Sequence, residues 1–150
     1  AKVFAQPIAF NCVPEIGSFN DLGYTSEEMK VMNETRKILG QNDLKVSAFT
    51  VRVPVFNAHS ETVWVTLNKE VSRSEFIQCL EEAPGMIVDG GVKSYSTPRQ
   101  VSGQDPVFVG RIHQDLNDKK TWLLWIVSDN IRKGAALNGI QIAEVMPVFH

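Results

Sequence analysis

The chain has 150 residues, of which 43% are hydrophobic and 21% charged, and its formal net charge is −2. That length suits one globular domain with a sizeable core, and the near-neutral charge argues against a strong electrostatic drive toward nucleic acid or acidic membranes. No apolar run approaches the roughly 18 residues of a membrane-spanning helix and no signal peptide opens the chain, so a cytoplasmic location is expected, or a plastid in a plant.

The first third of the chain predicts a strand or extended entry, a helix and a further strand. Residues 4–13 suit a strand or an extended entry. A helix should begin at Thr25, because Thr25 and Glu28 have the spacing of a capping box, and it should end at Gly40, a residue that readily adopts the left-handed conformation. The β-branched run Val46–Val55 predicts a strand.

The middle of the chain predicts two strands and a second helix. Glu61–Leu67 alternates in polarity, as a half-buried strand does. Val63, Val65 and Leu67 lie on one face of this predicted strand, and Thr62, Trp64 and Thr66 lie on the other. A second capping box predicts a helix from Ser72 to about Ala83, and Met86–Val88 is a short apolar strand. Residues 90–105 are rich in Gly, Ser, Pro and Gln, and they predict a long loop.

The last third predicts a hairpin and a closing helix. Val107–His113 and Trp122–Val127 pair across the turn "QDLNDKK", and a helix should cover Asn130 to about Val145. Strands grouped in runs between helices, without strict alternation, indicate an α+β fold: a mixed β-sheet with helices packed on one face. Residues 1–150 are predicted to form a single domain.

The segment from 130 to 146 is apolar around most of its circumference when it is drawn as a helix. A helix of that kind is buried on more than one side. It is therefore either a central core helix or a helix that docks on a second domain.

Few residues point to cysteine or metal chemistry. Cys12 lies in the apolar "FNCVP" with no histidine or cation nearby to activate it, so we expect a packing residue, and Cys79 should be buried in a helix. Both thiols are expected to be free. The histidines His59, His113 and His150 lack ligand spacing, so no metal site is predicted.

The stretch "VRVPVFNAHSETVWV" places Arg52 inside an apolar run and His59 between two such runs. A buried guanidinium needs an anionic partner, and its planar fork suits a carboxylate. A neutral imidazole suits proton transfer near neutral pH. The pair is compatible with a carboxylate clamp beside a base, although a lone histidine next to a strand is more often structural.

The first helix has a polar face that carries Glu34 and Lys37. Residues at this spacing are neighbours on a helix and can simply pair in solvent. Alternatively they line a cleft, where Glu34 would bind a substrate ammonium group and Lys37 a phosphate or carboxylate.

Five blocks together resemble aspartate-semialdehyde dehydrogenase, in the order of that family and over about Val3 to Glu144. They are "PIAFNCVPEIG", "GYTSEEMKVMNETRKILG", "VSAFTVRVPVFNAHSETVWV", "DPVFVGRIHQD" and "SDNIRKGAALNGIQIAE". The resemblance implies the substrate-binding and dimerisation part of that enzyme, with a glyceraldehyde-3-phosphate dehydrogenase-like C-terminal fold. The family converts L-4-aspartyl phosphate to L-aspartate 4-semialdehyde and phosphate with NADPH, for lysine, methionine, threonine and diaminopimelate synthesis.

The same resemblance implies residue roles. Arg52 corresponds to the arginine that binds the substrate carboxylate, and His59 to the general acid/base beside the nucleophilic cysteine. Glu34 and Lys37 correspond to the residues that bind the substrate amino group and its phosphate. Asn130 corresponds to an asparagine near the nicotinamide of NADP. A homodimer through the sheet is also implied.

Three family features are missing from this sequence: the glycine-rich cofactor loop, the asparagine-cysteine nucleophile block and the active-site glutamine. The chain therefore resembles the C-terminal half of the enzyme. We expect it to be inactive alone, with NADP bound mainly by an N-terminal Rossmann domain that the last helix contacts. The alternatives are a non-catalytic homologue that serves as a dimerisation or binding module, and a related reductase of acyl phosphates.

Overall fold

The computed structural model describes residues 4–147, so Val3 and His150 lie outside the described part. The chain divides into two compact units, with the boundary between Pro54 and Val55. The grouping of all 150 residues into one domain stays a prediction.

The first unit is built around helix α1, Ser26–Leu39, which begins and ends where the sequence predicts. The Thr25 hydroxyl accepts the Glu28 amide at 3.3 Å, and the Glu28 carboxylate accepts the Thr25 amide at 2.7 Å, so the capping box is complete. Gly40 ends the helix at φ 63°, and its amide bonds to the carbonyls of Arg36 and Lys37. Local chemistry alone therefore sets both ends of α1.

The predicted strand Val46–Val55 is wrong. In this segment the structure has one isolated antiparallel bridge, between Val13 and Arg52, and no longer ladder among the described residues. Phe49 is 80% exposed, and Val51, Val53 and Val55 are also exposed. β-Branched residues favour a strand only where neighbouring strands cover them, and the described residues of the first unit form no sheet that this segment could extend.

The second unit contains a mixed four-stranded sheet, as predicted. Its strands are β1 (His59–Thr66), β2 (Met86–Val88), β3 (Val107–Gln114) and β4 (Thr121–Ser128). Their spatial order is β1-β4-β3-β2, where the β1/β4 and β3/β4 pairs are antiparallel and the β2/β3 pair is parallel.

Two helices accompany this sheet. Helix α2, Arg73–Glu81, starts with the predicted capping box at Ser72 and ends slightly earlier than predicted. The predicted loop contains a single helical turn, α3, Pro98–Val101, which the sequence analysis did not identify. Its Thr97–Gln100 capping spacing was the available signal.

The core of the second unit lies between α2 and one face of the sheet. Its buried residues are Val109, Ile112, Trp122 and Leu124. The Phe76 ring of α2 stacks on Trp122 with 4.6 Å between centroids. Val63, Val65 and Leu67 pack against this cluster, as their alternation predicts. Strand alternation places a smaller cluster on the opposite face, under α3: Ala58, Val101, Phe108 and Val127.

The last helix has two parts, a π-helical segment at Arg132–Ala136 followed by α4, Leu137–Val145. No residue in either part is buried, so the core-helix alternative is wrong for the described chain. The expected burial of Cys79 is wrong as well, since it lies on an outward position of α2, and Cys12 is also exposed rather than packed.

Candidate functional site

Glu34 and Lys37 lie on the exposed surface of α1 in the first unit. The ion pair that their spacing permits is not formed, and within residues 4–147 neither side chain takes part in an ion pair or a side-chain hydrogen bond. The negative charge of Glu34 and the positive charge of Lys37 therefore lie on the same face of α1 without forming an ion pair.

Arg52 is half-buried and held by its backbone. Its carbonyl accepts the Val13 amide at 3.0 Å and its amide bonds to the Val13 carbonyl at 2.9 Å. The guanidinium carbon lies 5.1 Å from the centroid of the Phe4 ring, a cation–π distance. Among the described residues no carboxylate pairs with this guanidinium. Its five N–H donors can thus bind an anion that comes from outside these residues.

Glu28 connects the segment of Arg52 to helix α1, a role that the sequence analysis missed because it treated Glu28 only as a cap. One carboxylate oxygen accepts the Thr25 amide, and the other accepts the Thr50 amide at 2.8 Å. Glu28 is only 4% exposed. The backbone amide of Thr25, and next that of Thr50, hold the pKa of Glu28 below its usual range.

This network predicts how stability depends on pH. Because the pKa of Glu28 is lower in the folded protein than the ordinary 4.5, its contribution is complete above that value and is lost as pH falls through the folded pKa. Glu28→Gln should lower the free energy of unfolding at pH 7, and its difference from wild type should shrink as the pH falls below the ordinary pKa of 4.5. Urea unfolding of wild type and Glu28→Gln across this pH range measures the difference in their free energies of unfolding.

The matched control is Glu27→Gln, which changes a partly exposed carboxylate in the same helical turn. It should leave stability near the wild-type value at both ends of the pH range, since surface pairs contribute little. A Glu28→Gln difference that stays constant with pH would contradict the assignment.

His59 and Asn130 lie at the same end of the sheet in the second unit. His59 is the first residue of β1 and pairs with Ser128, the last residue of β4, and Asn130 follows in the exposed turn after it. The His59 side chain is 62% exposed, and its Nε2 lies 3.1 Å from the Glu61 carboxylate. That hydrogen bond from His59 lowers the pKa of Glu61. The β1/β4 register therefore brings these two predicted site residues together.

Asp129 is a further residue that the sequence analysis missed. It is 2% exposed, and its carboxylate accepts four hydrogen bonds. Oδ2 accepts the Asn57 side-chain amide and the Gly103 backbone amide, each at 2.7 Å. Oδ1 accepts the backbone amides of Ile131 at 2.8 Å and Arg132 at 3.2 Å. The Gly103 amide is the foremost cause that lowers the pKa of Asp129. An aspartate between a strand and a helix was the available signal.

Within residues 4–147, no group of three or more His, Cys, Asp or Glu side chains is placed to hold a metal ion. No helix in that part is long and apolar enough to cross a membrane.

A comparison with known families bears directly on this geometry. The family model described as "Semialdehyde dehydrogenase, dimerisation domain" matches residues 1–133. The chain belongs to this family. The semialdehyde dehydrogenase resemblance predicted from the five sequence blocks is thereby confirmed.

Individual members of the semialdehyde dehydrogenase family agree. An aspartate-semialdehyde dehydrogenase of Aquifex aeolicus is 46% identical over 97% of this chain and 44% of its own length. The solved aspartate semialdehyde dehydrogenase II of Vibrio cholerae, complexed with ASA, is 42% identical, with a TM-score of 0.89 over 94% of this chain and 42% of that one. The Candida albicans enzyme, solved with NADP, is 29% identical, with a TM-score of 0.71 over 92% of this chain and 44% of that one. The chain thus spans less than half the length of these relatives.

Proposed function

We propose that this chain is the substrate-binding and dimerisation part of an aspartate-semialdehyde dehydrogenase. The complete enzyme would reduce L-4-aspartyl phosphate to L-aspartate 4-semialdehyde with NADPH, in the synthesis of lysine, methionine and threonine. The observation that carries this proposal is the placement of His59 and Asn130 at one end of the sheet. A relative with the same fold is known in complex with ASA.

The charged residues of the first unit suit the substrate. Arg52 has a planar fork that matches a carboxylate, and its half-buried setting strengthens such a bond because less water screens it. On α1, Glu34 would bind the amino group and Lys37 the phosphate. The three side chains thus match the carboxylate, ammonium and phosphate of an aspartyl phosphate in charge.

His59 suits the role of general acid/base. Its contact with the Glu61 carboxylate orients the ring and leaves the imidazole exposed at the edge of the sheet. The nucleophilic cysteine would come from a part of the enzyme outside this chain. NADPH would supply the hydride when it is bound. The exposed Asn130 amide offers one donor group and one acceptor, which fits the nicotinamide carboxamide.

An activity assay of the complete protein that contains this chain tests the proposal. With L-aspartate 4-semialdehyde, phosphate and NADP⁺, NADPH should form at a rate that depends on phosphate, because the acyl-enzyme is released by phosphate in this direction. The isolated 150-residue chain should show no turnover. A complete protein that dimerises but forms no NADPH would instead favour the non-catalytic binding module.

The sheet face opposite α2 suits a homodimer. Trp64 is 59% exposed and Tyr95 is 54% exposed, and both line a surface depression with the half-buried Leu123 and Trp125. The Trp125 indole donates to the Ser96 carbonyl at 2.8 Å, which holds the ring in place. Clusters of exposed aromatic side chains that are held in fixed positions are typical of protein interfaces. We propose that this face pairs with a second copy of the chain.

Trp64→Glu should weaken this dimer. A charge at a buried aromatic anchor costs about 2 kcal/mol or more, so the dimer dissociation constant should rise at least about 30-fold. Sedimentation equilibrium measures the constant. The matched control is Leu116→Glu, in the fully exposed β3–β4 turn, which should leave it unchanged. Equal dissociation constants for wild type and Trp64→Glu would reject this face as the interface.

The last helix and the two residues that flank it expose apolar side chains that a second domain would cover. These are Ile131, Ile140, Ile142, Val145 and Met146, each more than half exposed. We propose that they contact the N-terminal Rossmann domain of the complete enzyme.

A further inference from the structure

We propose that Asp129 is the positioning residue that holds His59 and Asn130 in their working arrangement. The inference rests on the proposed function and adds to it a residue that does not touch the substrate. Its basis is the buried carboxylate of Asp129, which joins three separate segments of the second unit.

The first segment leads to His59. Asn57 donates to Asp129 at 2.7 Å and to the Ser102 hydroxyl at 3.0 Å, so its side chain bridges two segments. Next in the chain is Ala58, which is buried at φ 77°, a conformation that residues other than glycine rarely adopt. Such a backbone persists only where its surroundings hold it. Asn57 holds it from one side, and the β1/β4 pairing of His59 holds it from the other.

The second segment leads away from Asn130. Oδ1 of Asp129 accepts the amides of Ile131 and Arg132, the residues at which the closing helix begins. These are amides that a helix start leaves without partners, so Asp129 acts as a cap. Asn130 lies inside this capped turn, between the carboxylate and the amides that it accepts. The position of the Asn130 side chain therefore depends on the same carboxylate.

A carboxylate is required here because each of its oxygens accepts two hydrogen bonds. An asparagine has only one acceptor oxygen, and its amide nitrogen would face two donors whichever way it is turned. Asp129→Asn can therefore keep the bonds toward Asn57 and Gly103 or the bonds toward Ile131 and Arg132, but not both sets. The set that loses its acceptor is left with unsatisfied buried N–H donors. Because such donors are costly, the segment that carries them should shift.

Kinetics of the complete enzyme test the proposal. Asp129→Asn should lower kcat about 10- to 100-fold, because a shift of about 1 Å in a catalytic group costs on that order. KM for the semialdehyde should change less than about threefold. The contacts that bind the substrate and the transition state equally well stay in place when only the reacting groups shift. Asn57→Ala removes the link toward His59 and leaves the helix cap in place, and it should also lower kcat. It keeps the test informative if Asp129→Asn does not fold.

An exchange of the two side chains provides a rescue. In the double variant Asn57→Asp, Asp129→Asn, the amide at 129 can donate to the carboxylate at 57 while its oxygen keeps the helix cap, and only the Gly103 amide loses its acceptor. This variant has the charge and composition of wild type, and it should recover part of the kcat lost in Asp129→Asn. The matched control is Asp118→Asn, at the opposite end of the sheet, where the carboxylate accepts the Lys120 amide at 3.0 Å. It should leave kcat unchanged.

The outcomes separate this inference from the proposed function. A wild-type enzyme without NADP-dependent turnover overturns the proposed function, whatever the variants do. An active wild type whose Asp129→Asn and Asn57→Ala variants keep full kcat overturns the positioning role alone. If both variants lose stability as much as activity, and the exchange restores neither, Asp129 is only structural and the inference is wrong.

Discussion

Arg52→Lys should lower kcat/KM for L-aspartate 4-semialdehyde about 100-fold in the complete enzyme. Lysine keeps the positive charge but replaces a planar fork with a point charge, which cannot form two parallel bonds to a carboxylate. The loss should fall mainly on KM, because the substrate carboxylate takes no part in the bond changes. Lysine also lacks the flat guanidinium that lies over the Phe4 ring, so the side chain loses its orienting contact.

Steady-state kinetics of Arg52→Lys and of a matched variant, Arg36→Lys, make the test. Arg36 lies in the same unit, and its guanidinium donates to the Leu44 carbonyl at 2.9 Å, so it has a structural partner inside the protein. The same chemical change at Arg36 should affect stability but not kcat/KM. If Arg52→Lys has wild-type kinetics, Arg52 does not bind the carboxylate.

His59→Asn should lower kcat by roughly 10²–10⁴-fold, the usual contribution of a positioned general acid/base. Asparagine preserves polarity and approximate size at an exposed position, so little stability should be lost. The pH–rate profile of kcat should also lose the ionisation that His59 contributes, which a purely structural histidine would not produce. Near-normal kcat would reject the catalytic role.

Chemical rescue gives the His59 assignment a second readout. In a His59→Ala variant, added imidazole can occupy the space of the lost ring and carry the proton. Activity that increases with imidazole concentration is expected for a general acid/base. Lack of rescue, together with a kcat close to wild type, would indicate that His59 only packs at the start of β1.

Some elements were predictable because their causes are local. The α1 and α2 starts depend on capping boxes within four residues of chain, and the end of α1 depends on one glycine. The alternation in β1 predicted which side chains meet the core. Of the candidate site residues, Arg52 and His59 were noticeable because polar side chains interrupt apolar runs, and their proposed roles came from the family resemblance.

Other features depend on residues far apart in the chain. The strand predicted at Val46–Val55 requires a neighbouring strand, and among the described residues this segment forms only the Val13–Arg52 bridge. The expected burial of Cys79 was wrong because helix propensity does not show which face of α2 meets the sheet. Phe76, Ile77 and Leu80 form the face that packs on the core, and Cys79 lies outside it. The separation of the chain into two units was equally invisible to local patterns.

The sequence by itself determined the starts of α1 and α2, the end of α1, the apolar face of β1 and the family to which the chain belongs. Only the tertiary structure decided that His59 and Asn130 share one end of the sheet, since their proximity depends on the β1/β4 register. It also decided the roles of Glu28 and Asp129, whose partners Thr50 and Asn57 are distant in sequence. The physical reason is that a buried carboxylate is stable only when donors surround it, and folding brings those donors together.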